Sequence, residues 1–404
     1  MMVYNILRLF LYLLVLLAMI LKKKTRTFFI KRLFQNIENY EFKKDDAVLF
    51  HMSSVGEFNL SQELINRFIS KNKKIIISIM TDTGFTAVNK FYSKNKNIKI
   101  IYFPLDDYFL LKKLYKSFNI KKTIIIETEI WPNLYNFAEK NGKLYIVNGR
   151  ITEKKLKSYL KVKKITQKVL DLPEKILVQS EEDRDRYERV GVKKENLVVH
   201  KNLKYSIRYE KIDEEKKNEY FKKNVNKDKI KIVCGSTRPG EEKIWLKAFK
   251  EINTRKEYQL IIVPRHLNRI EEIKKEIENI FKDSKDIYSL LSENMKTDIL
   301  IVDKMGVLRD FYQIADFTFV GGTLTNIGGH SILEPLYYGK LPIIGKYYNN
   351  IEEIVKEASK MNFIKIIENN DEISEYIKQS KYINTEQFFK ENNDIEKIVN
   401  ELYN

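Results

Sequence analysis

Short apolar runs and mixed polar segments alternate along almost the whole chain. β-Prone runs stand at 47–52, 74–79, 98–103, 123–127, 144–147 and 176–178, and again at 230–234, 259–263, 299–302, 317–320 and 341–344. They are too short for buried helices and lack the apolar–polar alternation of a half-exposed strand, so they predict strands covered on both faces. Between them, segments such as 57–70, 108–118 and 132–141 read as amphipathic or mixed helices. Strands separated by helices predict parallel sheets with helices on either side, a doubly wound α/β fold. Residues 209–228, rich in Lys and Glu and without an apolar run, divide the pattern into two halves. The expected organisation is an N-terminal anchor helix at 1–24, a Rossmann-like domain at 25–207, a connector at 208–228 and a second Rossmann-like domain at 229–404. Ligands are expected in a cleft at the carboxyl ends of the strands.

The N-terminus breaks the alternation. Residues 9–21, LFLYLLVLLAMIL, are continuously apolar, and 3–7 extend the run upstream of Arg8. Lys22, Lys23 and Lys24 follow at once, then Arg26, Lys31 and Arg32. A membrane span needs about 20 apolar residues, and a basic flank marks the cytoplasmic side. A cleaved signal peptide would carry its charge before the apolar run and small residues after it. The expectation is a single-pass membrane anchor with the rest of the chain cytoplasmic.

Composition narrows the partners. At 404 residues with 43% hydrophobic and 32% charged content, the chain is globular and long enough for two cores. The net charge of +18 resembles a nucleic-acid signature, but only 14 of the 73 basic residues are Arg, and no nucleic-acid-binding motif is present. No nucleic-acid partner is expected; the basic surface suits an anionic lipid or phosphate instead. The single cysteine, Cys234 in IKIVCG, excludes an intrachain disulfide and reads as a core residue.

The candidate chemistry sits at strand ends. In FVGGTLTNIGGHSILEPLYYGKLPIIG (319–345) an apolar run leads into paired glycines, and Gly328-Gly329-His330 is expected to open a short helix. Strand, Gly-rich loop and helix start together predict a phosphate cradle of free amides, with His330 and Glu334 on one helical face above it. Ser53-Ser54-Val55-Gly56-Glu57 follows the run at 47–52, where a first-turn carboxylate can serve as a proton acceptor. Glu127-Thr128-Glu129-Ile130-Trp131-Pro132 ends another run, with one acid a candidate cap for the following helix and the other a candidate functional group. Arg150 follows Val147-Asn148-Gly149 in the same manner. In the second half, Ser236-Thr237-Arg238-Pro239-Gly240-Glu241-Glu242 has the look of a capping box. Pro264-Arg265-His266 offers an anion ligand, and Asp303-Lys304-Met305-Gly306 a further loop. No GxxxxGK[ST] loop and no GxGxxG after the first strand occur. Histidines 51, 200, 266 and 330 have no metal-ligand spacing, so no metal and no cofactor is expected. Asp106-Asp107 reads as a helix N-cap.

In order and spacing, HMSSVGE (51–57), TDTG (81–84), FPLD (103–106), ETEIWPN (127–133), VNGRIT (147–152), NLKY (202–205), GSTRPGEE (235–242), PRH (264–266), DKMG (303–306) and FVGG…GGHSILEP (319–335) resemble the bacterial Kdo (3-deoxy-D-manno-octulosonic acid) transferases of lipopolysaccharide synthesis. The resemblance implies a GT-B glycosyltransferase fold, with an N-terminal acceptor domain and a C-terminal domain for the donor, CMP-Kdo. It implies metal-independent transfer of Kdo with inversion to a lipid A precursor, lipid IVA, at the cytoplasmic face of the inner membrane. Glu57 matches the family's catalytic base, and Glu127 and Glu129 its acidic pair. Ser236, Thr237, Arg238, Pro264, Arg265, Met305, Gly306, Gly328, Gly329, His330 and Glu334 fall in the implied donor site. Arg265 is expected at the donor phosphate or carboxylate, and Glu334 at the ribose hydroxyls. Gly56, Thr83, Gly84 and Arg150 fall in the implied acceptor site. The chain departs from the family at Arg238, commonly His, at Ser331-Ile332, commonly Asn-Pro, and at Lys201, commonly Gly. Those departures bear on contacts around the nucleotide. The rival readings are a GT-B lipid glycosyltransferase using a UDP-sugar, and a non-catalytic membrane-tethered lipid- or nucleic-acid-binding protein.

Overall fold

A computed structural model of the chain describes residues 4–6, 8, 12, 15, 19–35, 45–282, 286–368, 371–379 and 383–403. It forms two compact units: the first runs to Arg208 and takes back the segment from Asn392, and the second spans Tyr209–Glu391. The connector, read from its sequence as helical or loose, contains a helix, Glu214–Lys223, capped by Asp213 and belonging to the second unit.

The first unit holds a parallel sheet of β1 (Ala47–Met52), β2 (Lys74–Ile79), β3 (Ile98–Tyr102), β4 (Ile120–Ile126), β5 (Lys143–Gly149), β6 (Lys175–Val178) and β7 (Leu197–Val199), in the order β3-β2-β1-β4-β5-β6-β7. Apolar side chains leave both faces: Leu49, Ile76, Ile125 and Ile146 pack on one side, and Phe50, Ile77, Ile124 and Tyr145 on the other. That two-sided burial is why these strands are apolar throughout. The helix Ile395–Tyr403 returns to this unit and packs Ile395, Ile398, Val399 and Leu402 into its second core.

The second unit repeats the plan with β8 (Ile230–Thr237), β9 (Tyr258–Pro264), β10 (Tyr288–Leu290), β11 (Ile299–Ile301), β12 (Phe317–Val320), β13 (Pro342–Gly345) and β14 (Lys365–Ile367), in the order β10-β11-β9-β8-β12-β13-β14. Cys234 is buried in the core beside Trp245 and Phe319, as expected. In each sheet later strands add on the other side of the first, β4 beside β1 and β12 beside β8; in the second sheet β11 also inserts between β9 and β10. Such switch points leave a crevice at the carboxyl ends of the two strands.

The expected membrane anchor is overturned. Among the described residues no helix is long and apolar enough to cross a membrane. Much of 1–24 lies outside the described residues, but Tyr4, Asn5, Arg8 and Tyr12 are described, and they are helical. Their spacing puts Tyr4, Arg8 and Tyr12 on one face. That face meets protein. Tyr4 donates to Asp106 Oδ2 at 2.8 Å, Tyr12 donates to Asp107 Oδ2 at 2.7 Å, and Arg8 lies 3.6 Å from Asp106 Oδ2. Asn5 and Asn133 exchange side-chain amide bonds. The polar positions inside the apolar run are thus docking contacts, and the inner-membrane location inferred from the run falls with it.

The Asp106-Asp107 pair divides its work. Asp107 caps the helix Tyr108–Ser117 by accepting from the Leu110 N–H. Asp106, fully buried, accepts from the N–H groups of Asn133 and Leu134 and so caps the helix Pro132–Asn141. Neither acid of Glu127-Thr128-Glu129 caps that helix, whose N-cap position is Trp131.

Candidate active site

At the switch point of the first sheet, the loops after β1 and β4 bring three acids together. Ser54 caps the helix Val55–Ser70, its hydroxyl accepting from Glu57 N–H at 3.3 Å. The Glu57 carboxylate turns back to accept from Ser53 N–H at 2.5 Å and from the Ser54 hydroxyl at 3.3 Å. Burial pushes Glu57 up to about 7; the Ser53 amide opposes that shift, and the negative charges of Glu129 and Glu127 reinforce it. Glu129 goes the other way. Burial disfavours its charge, but bonds from His51, Ser53 and Trp131 prevail and hold it down at about 2. Trp131 Nε1 donates to Glu129 Oε2 at 3.0 Å, and fully buried His51 stands 3.4 Å from the same oxygen. Burial raises Glu127, with Lys155 and Arg150 pulling against it. Glu127 also holds a backbone φ of 60°, a conformation disfavoured for a side-chain-bearing residue and characteristic of functional sites.

The expected acceptor residues separate here. Gly56 is exposed in the first helical turn, and a Cβ there would meet only the Ser54 hydroxyl at 3.6 Å. Gly84 is buried, with room for a Cβ denied by Ile79 at 2.8 Å and Thr81 at 2.9 Å, and its N–H bonds the capping Thr81. Its glycine is explained by packing. Thr83 is exposed beside it. Arg150 is exposed, with its backbone N–H held by the Thr128 hydroxyl at 2.9 Å.

At the switch point of the second sheet, cations gather. Arg238 Nε donates to His330 Nε2 at 3.1 Å, and its Nη1 lies 3.0 Å from His266 Nε2. Arg265 adds a second guanidinium. Burial, then Arg238, Arg265 and His266, press His330 down to about 4, so its ring is neutral. The loops that carry them are sharply bent: Ser236 has φ 55° at a bulge in β8, matching Asn148 with φ 62° at a bulge in β5. Thr237 is wholly buried, and its carbonyl accepts from Arg265 N–H, so its role is to join two loops. Pro264 is buried at the end of β9, while Met305 is 61% exposed and Gly306 holds φ 82° in open space.

Two expectations for this loop are corrected. The helix begins only at Leu333 and ends at Tyr337, so Gly328, Gly329 and His330 precede it, and His330 and Glu334 do not share a helical face. Glu334 instead pairs with Arg309 at 2.8 Å. Three amides at the start of the Gly-rich loop are already taken: Glu241 accepts from Gly322, Thr323 and Leu324 N–H. The capping box expected of GSTRPGEE is absent in that form, since Gly240 is the N-cap and no hydroxyl serves it. Among the described residues no group of three or more His, Cys, Asp or Glu is placed to hold a metal ion.

Residues 26–207 match the family described as 3-deoxy-D-manno-octulosonic-acid transferase (kdotransferase). The 3-deoxy-D-manno-octulosonic acid transferase of Haemophilus influenzae is 30% identical over 322 residues, covering 77% of this chain and 73% of that one. The chain belongs to the Kdo transferase family. A bifunctional glycosyltransferase/methyltransferase of Fusobacterium nucleatum is 41% identical over 389 residues; these are 92% of this chain but 59% of that relative's length. A UDP-GlcNAc 2-epimerase from Neisseria meningitidis, solved with UDP-GlcNAc, aligns with a TM-score of 0.57 over 88% of this chain and 99% of its own, at 13% identity. A 2-epimerase structure from Listeria monocytogenes gives 0.51 at 10% identity, over 86% of this chain and 94% of that one. These likenesses establish a GT-B-like pair of parallel-sheet α/β domains.

Three groups escaped the motif reading. His51 lies inside HMSSVGE, yet a histidine in an apolar strand shows no sign of its partner in sequence. Lys155, which reaches the Thr128 carbonyl at 3.5 Å and the field of Glu127, stands among many lysines. Glu241 is visible in sequence only as a helix-start acid.

Proposed function

We propose that this chain is a metal-independent, inverting glycosyltransferase that moves Kdo from CMP-Kdo to a lipid A precursor such as lipid IVA, in lipopolysaccharide core biosynthesis. The first unit takes the acceptor and the second the donor. The observation that carries this reading is Glu57, raised to about 7 at the switch point of the first sheet, in a chain of the Kdo transferase family. A base with that affinity is half-ionised near neutrality and suited to accept a proton from a sugar hydroxyl. The acceptor oxygen forms its bond to the anomeric carbon as the bond from that carbon to the phosphate oxygen breaks. The hydroxyl proton passes to Glu57, and CMP departs with the electron pair. Attack opposite the leaving group inverts the centre. Arg238 and Arg265 meet the charge that develops on the phosphate, and neutral His330 accepts a hydrogen bond from Arg238 Nε. Burial holds Glu57 up and ionised Glu129 adds to it; Glu127 is placed to contact the acceptor.

The test is a mass spectrum of tetra-acylated lipid A precursor incubated with the protein and CMP-Kdo, beside the Glu57→Gln variant. Additions of whole Kdo units that vanish in the variant are expected. No addition by folded wild type, or addition only from a UDP-sugar, overturns the assignment.

A further inference from the structure

Glu241 is fully buried, yet its carboxylate accepts four backbone bonds, each 2.9 Å long: Arg238 and Gly322 N–H on Oε2, and Thr323 and Leu324 N–H on Oε1. Three consecutive amides converging on one anion make the kind of nest that binds phosphate in other proteins. Here the chain supplies its own anion. An acid at a helix start ordinarily turns to the amides of its own first turn. Glu241 opens the helix Glu241–Ile252 but reaches across to the loop after β12 instead. Its neighbour Glu242 faces elsewhere, gripped by both Nη atoms of Arg269 at 2.6 and 3.2 Å.

The bonds tie together the parts of the cationic cluster. Glu241 fixes the backbone of Arg238 on one side. On the other it fixes the start of the loop whose Gly321 and Gly322 carbonyls accept from His330 and Gly329 N–H. Arg238 and His330, whose side chains then meet at 3.1 Å, are held on either side of a single carboxylate. We propose that Glu241 is a positioning residue of the donor site, an internal carboxylate that occupies the loop amides and thereby sets Arg238 and His330 for the donor's anionic group. This inference rests on the assignment of that cluster as the donor site.

The full chain carrying Glu241→Ala has an unfilled nest, and a small carboxylate should fill it. Acetate, compared with chloride at equal ionic strength, is expected to raise the melting temperature of Glu241→Ala and leave the wild type unchanged. Donor KM is expected to rise about tenfold or more in the variant, as for a charged bond network broken in a buried site, with acceptor KM unmoved and acetate restoring the loss. Glu241→Gln keeps one oxygen for Thr323 and Leu324 and presents an NH₂ to Gly322 and Arg238. It is expected to fold, to show an intermediate donor KM, and to ignore acetate. An acetate-insensitive Glu241→Ala, or a wild-type donor KM in Glu241→Gln, overturns the proposal. The melting measurement needs no sugar nucleotide, so it stands or falls separately from the choice of donor.

Discussion

Glu57 and Glu129 share the end of one sheet and are held in opposite protonation regimes, one raised to about 7 and the other lowered to about 2. Burial acts on both in the same direction. The difference lies in their donors: Glu57 has one backbone amide and a serine hydroxyl, while Glu129 has His51, Ser53 and Trp131. A pair of acids pushed apart in this way can divide its labour, one exchanging protons and the other supplying constant charge.

The acid limb of the pH–rate profile should therefore belong to Glu57. Activity should rise as pH increases through about 7, because the base works deprotonated. Glu57→Gln should lower kcat by about 10²–10⁴-fold while keeping the bond to Ser53. Glu129→Gln removes a negative neighbour, so the limb should move to lower pH. A limb that stays in place would separate Glu129 from the base.

Arg238→Ala should raise donor KM and free His330 from its second-largest depressing influence. The His330 pKa should move upward from about 4, followed by NMR of the ring protons. An unmoved His330 would remove Arg238 from the influences that depress it.

Gly56 and Gly84 should respond oppositely. Gly84→Ala forces a Cβ against Ile79 and should cost about 1–3 kcal/mol by denaturant melt. Gly56→Ala makes only an ordinary contact with the Ser54 hydroxyl and should stabilise its helix by about 0.5–1 kcal/mol, yet raise acceptor KM.

Asp106→Ala strips the cap from the helix Pro132–Asn141 and the partner from Arg8 and Tyr4. Stability should fall by about 2–4 kcal/mol, and hydrogen exchange should accelerate at Tyr4, Arg8, Asn133 and Leu134.

The central strands were legible because burial on both faces leaves an unbroken apolar run, as in Phe50 and Ile77. The edge strands β7, β10 and β14 were missed. Each is three residues long, and Leu197–Val199 or Lys365–Ile367 is too brief to stand out from a loop. The acids of the first site were readable as strand-end residues; their partition was not, since it depends on His51 arriving from β1 and on Trp131 folding back from the helix start onto Glu129. The N-terminal run misled for a related reason. Hydropathy averages over a helix, whereas Tyr4, Arg8 and Tyr12 act as a stripe whose meaning depends on Asp106 and Asp107 a hundred residues away. Likewise, a Gly-rich loop predicts free amides only when no distant carboxylate such as Glu241 has already claimed them.

The helix Ile395–Tyr403 carries a consequence for biogenesis. During vectorial synthesis the first sheet emerges with one face still lacking Ile395, Ile398, Val399 and Leu402, and the entire second unit must be translated before that face is closed. The nascent N-terminal half thus waits, apolar and sticky, through nearly half of translation, and a chain stopped after Glu391 should aggregate or bind holdase chaperones even though every strand of both sheets is present.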